Sequence, residues 1–81
     1  MSREEVFEKV TDIFRDVFDD EDLEINDGTS SDDIEDWDSL EHISLIVSME
    51  KEFDLKFDIK YVNTLENVGQ MVDLILSLKN K

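Results

Sequence analysis

A single serine stands where chemistry is conceivable. The run Trp37-Asp38-Ser39-Leu40-Glu41-His42 flanks its hydroxyl with carboxylates and puts an imidazole three residues on, one helical turn away. A serine with a histidine in reach is the minimum for nucleophilic catalysis. That chemistry also needs donors for a developing oxyanion and a pocket for the substrate, and the sequence offers neither in recognisable form. With Asp38 as a helix N-cap, Trp37 and His42 fall at N′ and N4, where side chains pack together as a staple. Trp37 is therefore read as a structural clamp on the loop, His42 is given no catalytic role, no residue is assigned as catalytic, and the chain is expected not to be an enzyme. Taken alone, these six residues read as a helix start with its usual polar residues.

Other chemistries are narrower still. There is no cysteine, so a disulfide framework, a thiolate metal site and a thiol nucleophile of the chain's own are all excluded. One histidine is too few for a typical transition-metal site. The acidic stretch before Ser39 invites a calcium reading, but setting Gly28 at the sixth position of an EF-hand loop puts Leu23 and Ile34 at the first and twelfth. Those positions require carboxylates, so no metal is expected.

Composition sets the wider limits. Asp and Glu number 23 against 8 Lys and Arg, a formal net charge of −15. That charge repels nucleic acid and anionic membranes and selects partners with basic surfaces. In 81 residues there is room for one core, and the 40% apolar share is too high for a disordered acidic tail. A single domain over 1–81 is expected. Met1 to Glu5 has no apolar signal region and no apolar run approaches a membrane span. The expectation is a cytoplasmic monomer without membrane insertion.

The elements that must position Ser39 follow from periodicity. Val6, Val10, Ile13 and Val17, with Phe7, Phe14 and Phe18 beside them, predict an amphipathic helix from Arg3 to Phe18, opened by a Ser2/Glu5 capping box. Residues 19–37 have no sustained period, carry ten of the 23 acids, and offer Leu23, Ile25, Ile34 and Trp37 as pins onto the core. A second helix starts after Asp38, with Glu41 completing a capping box. Leu40, Ile43, Ile46, Val47, Met49 and Phe53 form its apolar arc and Leu45 the border. Phe53 to Phe57 alternates like a strand but lacks a partner, and reads as a loop with two buried anchors. A short helix over Asp58 to Val62 follows. A last helix is capped by Thr64 and runs to Leu78, with Val68, Met71, Val72, Ile75 and Leu78 inward. The fold class is all-α, a small bundle of three main helices and a short one in third position.

In that context Asp38-Ser39-Leu40 gains meaning. It sits mid-chain in a small acidic helical bundle, after a long loop, and continues through Ser44-Leu45-Ile46-Val47-Ser48-Met49 to Glu50-Lys51-Glu52-Phe53-Asp54. The chain resembles an acyl carrier protein over essentially its whole length. The resemblance implies that Ser39 receives 4′-phosphopantetheine from coenzyme A, making a phosphoprotein. A separate holo-carrier synthase (a phosphopantetheinyl transferase) performs the transfer, and the Mg²⁺ belongs to that enzyme. The arm's thiol then carries acyl intermediates as thioesters. A helix N-terminus favours the anionic linkage, while Asp36 and Asp38 oppose it, so the site suits delivery by a basic enzyme rather than capture of free phosphate.

The resemblance also implies that partners read the second helix. Residue by residue this carries over to Asp38 and Glu41, and to Leu40 and Val47 at the edge of the apolar arc, where ordinary core packing is the competing account. The implied partners are acyl-loading and acyl-transferring enzymes with basic docking surfaces, in fatty acid, polyketide or related metabolism. Departures from housekeeping carriers are Ser44 and Lys51 where acids are common, Trp37 before the motif, and a less acidic third helix. They imply a specialised carrier. An aminoacyl or peptidyl carrier using the same serine, and an acidic non-covalent interaction or inhibitor module, remain open alternatives.

Overall fold

The structure is a computed structural model and describes residues 2–62 and 64–79. Met1, Asn63, Asn80 and Lys81, within the expected 1–81 domain, lie outside the described residues.

Four helices occur in the order α1 (Arg3–Val17), α2 (Ser39–Phe53), α3 (Ile59–Val62) and α4 (Val68–Lys79). The α1 start is the expected capping box: the Ser2 hydroxyl accepts from Glu5 N–H, and the Glu5 carboxylate accepts from Ser2 N–H. No glycine stops α1 or α2. Each ends on an aspartate in the left-handed region, Asp19 at φ 51° and Asp54 at φ 52°, which Asp tolerates better than most side chains. After α1 the Asp20 N–H reaches back to Arg15 O (2.9 Å) and Asp19 N–H to Asp16 O (3.3 Å), a Schellman closure.

α1 packs on both α2 and α4. Phe14, late in α1, meets Trp37 just before α2 edge-on at 5.2 Å, while Lys9, earlier in α1, pairs with Glu52 at the end of α2 (3.2 Å). The two helices therefore run antiparallel. Val6, Val10, Ile13 and Phe14 of α1 meet Leu45, Met49 and Phe53 of α2 and Val68, Met71, Val72 and Ile75 of α4 in one core, with Trp37 as its lid. Leu55 and Phe57 are half-buried anchors of the α2–α3 loop, as the alternation implied, and Glu50 Oε2 holds the turn by accepting from Phe57 N–H (2.9 Å).

Three expectations are corrected. Ile43 and Val47 do not join the inner arc of α2. They are exposed, as is Leu40, whereas Leu45, assigned to the border, is fully buried. On a helix of 3.6 residues per turn the buried set Leu45, Ile46, Met49 and Phe53 centres opposite Leu40 and Val47, and only one of two apolar faces can meet α1. The last helix starts at Val68, later than Thr64 would set it. Asn67 is its cap, with Oδ1 accepting from Gln70 N–H (2.9 Å) and the carbonyl from Met71 N–H (3.3 Å). Finally, the Asp38/Glu41 capping box is half made: Asp38 Oδ1 accepts from Glu41 N–H (2.9 Å), but the Asp38 N–H goes to Asp36 O (3.1 Å).

The long acidic loop is tied down at several points. Arg3 grips Asp27 with both terminal nitrogens (3.0 and 3.2 Å) and Asp73 of α4 with Nε (3.0 Å). The N–H groups of Val68 and Gly69 donate to Thr29 O and Asp27 O, both at 2.9 Å. A Cβ on Gly69 would lie 3.0 Å from Asp27 O, so this approach uses the missing side chain. Leu23, Ile25 and Ile34 pack partly buried against the core, so four apolar residues, counting Trp37, anchor a segment that is otherwise acid and turn.

Candidate phosphopantetheine attachment site

Ser39 is the first residue of α2 and is exposed. Its position is fixed from both sides. Asp38 sits in extended backbone (φ −108°, ψ −172°) as N-cap and takes the N–H of the third residue of the helix. Trp37 is 6% exposed and anchored against Phe14. A buried tryptophan two residues before an exposed serine lets the loop end at a set height over the core while Ser39 points away from it. Among the described residues, the Ser39 side chain has no hydrogen-bond partner.

Two depressions flank it. On one side Asp19, Asp36, Asp38 and Glu41 line a hollow floored by Val17 and Phe18. On the other, Trp37, Ser39, His42 and Ile43 face Ser31, Val62 and Leu65 across an open groove between α2 and the α3 region. Asp38 borders both. A third depression, at Arg3, Glu4, Phe7 and Asp27, lies at the start of α1, on the order of 16 Å along that helix from Phe14 and hence away from Ser39. Its cation is occupied by Asp27 and Asp73.

His42 is structural here. Its ring lies beside Trp37, edge to edge and nearly coplanar (centroids 6.0 Å apart, planes 16° apart), so the two staple positions meet. Trp37 Nε1–H donates to His42 Nδ1 (3.2 Å), which leaves Nε2 as the protonated nitrogen donating to Val62 O (3.0 Å). Both ring nitrogens are engaged, so neither is placed to take a proton from Ser39. This imidazole ties the start of α2 to the end of α3.

Of the other sequence-derived positions, Asp38 is exposed and Glu41 half-buried, and Leu40 and Val47 are 69% and 43% exposed. Core packing does not account for Leu40 or Val47. Ile43, 57% exposed, belongs with them and was missed. Its i, i+3, i+7 spacing with Leu40 and Val47 was visible as a second apolar stripe, but nothing local says which stripe turns inward.

The residues fit a phosphodiester-linked arm. The hydroxyl is free and exposed, it stands at the N-terminus of a fifteen-residue helix, and a groove of mixed polar and apolar lining adjoins it. The nearby carboxylates carry no cation among the described residues, where no cluster suited to a metal ion is found. No described helix is long and apolar enough to cross a membrane.

Comparison with known proteins agrees with this geometry. The family profile described as "Phosphopantetheine attachment site" matches residues 8–75. The solution NMR structure of holo acyl carrier protein from Geobacter metallireducens is similar to this chain with a TM-score of 0.83 and 42% identity. The match covers 89% of this chain and 83% of that one. No curated protein sequence matches. The helical bundle is thus the acyl carrier fold, and the cofactor is 4′-phosphopantetheine, covalently attached. From the matched span, the fold and the exposed serine at the head of α2, this chain belongs to the phosphopantetheine-attachment family of acyl-carrier-type domains.

Proposed function

We propose that Ser39 is the attachment point of 4′-phosphopantetheine and that the chain is a carrier, not a catalyst, which holds acyl intermediates as thioesters and presents them to biosynthetic enzymes. The observation that carries this is the Ser39 hydroxyl, exposed and without a partner at the first residue of α2, inside the span that matches the family. The arm supplies a thiol, which this cysteine-free chain lacks. The chain's own contribution is position. Asp38 caps the helix, Trp37 fixes the loop end, and the groove from Trp37 to Leu65 gives a tether a surface to follow.

The acyl reading is favoured over an aminoacyl or peptidyl one by the 42% identity to a protein described as an acyl carrier. Partners in this reading are a holo-carrier synthase and acyl-handling enzymes with basic docking surfaces, drawn by the −15 charge and by Asp36, Asp38 and Glu41 around Ser39. Asp38, Leu40, Glu41 and Val47 are the proposed recognition residues, with Ile43 added. Ser44, Lys51 and the exposed apolar stripe of α2 support a carrier dedicated to one specialised pathway. In this reading it acts in the cytoplasm as a monomer, a single domain over 1–81.

The test is intact mass after incubation with coenzyme A, Mg²⁺ and a broad-specificity phosphopantetheinyl transferase. Wild type gains one phosphopantetheine and Ser39→Ala gains none. A folded wild type that gains nothing would leave Ser39 as a helix start and the chain as an acidic binding module.

A further inference from the structure

The outward face of α2 changes character along its length. At the Ser39 end it is bordered by Asp36, Asp38 and Glu41, none of which has a cationic partner among the described residues. Leu40, Ile43 and Val47 follow as an exposed apolar stripe. Lys51 stands four residues after Val47, on the same face. There Val47, Lys51, Leu55 and Lys56 share one depression with Glu50 and Asp54. Both lysines are exposed, and neither forms an ion pair among the described residues. One Glu50 oxygen is already committed to Phe57 N–H. This end therefore has no formal net charge but offers two free ammonium groups beside an apolar floor, in a chain that is otherwise acidic.

We propose that α2 is a polarised docking strip, and that its partner is an acyl-handling enzyme with cations near the mouth that admits the arm, an apolar patch for Leu40, Ile43 and Val47, and at least one carboxylate facing Lys51 and Lys56. The inference rests on the carrier function above and specifies the partner for it. Twelve residues at 1.5 Å each put the carboxylate about 18 Å along the helix from Ser39. An acidic end and an end of no net charge that presents two ammonium groups fix the direction in which the strip docks. They also penalise an enzyme whose patch is basic throughout, because such a patch meets the ammonium groups with like charge. A second copy of this chain is a poor occupant, since two molecules of charge −15 repel.

The experiment uses a ketoacyl synthase whose carrier-docking patch is lysine and arginine along its whole length. Every carrier variant is first loaded with malonyl-phosphopantetheine from malonyl-coenzyme A, the form the synthase condenses, and checked by intact mass. Failure to load would sink the carrier function itself, before any synthase is added. Lys51→Gln with Lys56→Gln removes two positive charges from the strip. Gln70→Glu with Ser77→Glu makes the same change in net charge on exposed positions of α4. The strip variant should raise kcat/KM two- to tenfold, through KM, with the gain shrinking as salt is added. The α4 variant should stay within twofold of wild type. Replacing with glutamate the synthase residue that faces position 51 should reverse the preference in favour of wild type. Equal rates for wild type and the strip variant, or an equal gain from the α4 variant, would overturn the proposal. So would dimerisation of wild type in sedimentation that is lost with Leu40→Ala and Ile43→Ala, because a second copy would then occupy the strip.

Discussion

Replacing His42 with alanine should destabilise the protein by far more than a half-exposed side chain usually does. Two hydrogen bonds end on this ring, from Trp37 Nε1–H at 3.2 Å and to Val62 O at 3.0 Å. Each contributes about 0.5–1.5 kcal/mol net. The open groove beside His42 lets water reach part of what is vacated, which favours the lower half of the summed range. The expected loss is therefore about 1–2 kcal/mol. For a domain of this size 1 kcal/mol corresponds to about 4–8 °C in Tm, so a fall of about 4–16 °C is expected. Trp37 is the sole tryptophan and reports the same locus, so thermal unfolding should be followed by far-UV circular dichroism and by tryptophan fluorescence together. Trp37→Phe keeps an aromatic edge against Phe14 but removes the donor. A double-mutant cycle should then give a coupling of about 1 kcal/mol between positions 37 and 42. A Tm change below 2 °C in His42→Ala, or a coupling indistinguishable from zero, would refute the argument that this imidazole holds α2 to α3.

Three further outcomes follow from the packing. Leu45→Ala should cost about 2–5 kcal/mol, while Ile43→Ala should stay within about 0.5 kcal/mol of wild type, both measured by urea denaturation. Equal effects would mean that the two faces of α2 had been exchanged. Asp38→Ala removes the cap on Glu41 N–H and should cost about 0.5–2 kcal/mol, measured by thermal melting, with Asp38→Asn recovering most of it. The Glu5 carboxyl is held below its ordinary value by its bonds from the Ser2 backbone and hydroxyl. Its contribution is therefore present above the ordinary glutamate range and lost as pH falls through the lowered folded-state value. Glu5→Gln should flatten the acid limb of the stability–pH curve by that share and leave neutral-pH kinetics of loading at Ser39 unchanged.

The sequence by itself determined the all-α class, the four elements in order, and the placing of Ser39 at a helix start, because those follow from periodicity and from caps made within a few residues. Ser2 and Glu5 find each other three positions apart, Asp38 finds Glu41, and Trp37 finds His42, whatever the rest of the chain does. Terminations were harder to read. Asp19 and Asp54 stop α1 and α2 in the left-handed region that glycine usually marks, and Asn67 displaces Thr64 as the cap of α4 where Val68 and Gly69 bond across to Thr29 and Asp27. Those bonds join residues about forty apart, so no local window contains them. The two-faced helix α2 was beyond sequence for the same kind of reason. Leu45 and Ile43 are equally apolar, and what assigns one to the core and the other to the surface is the direction from which α1 approaches. That direction is set by Phe14 against Trp37 at one end and Lys9 against Glu52 at the other. Burial is a property of the pair of helices, so only the tertiary structure could decide which apolar face remains for a partner.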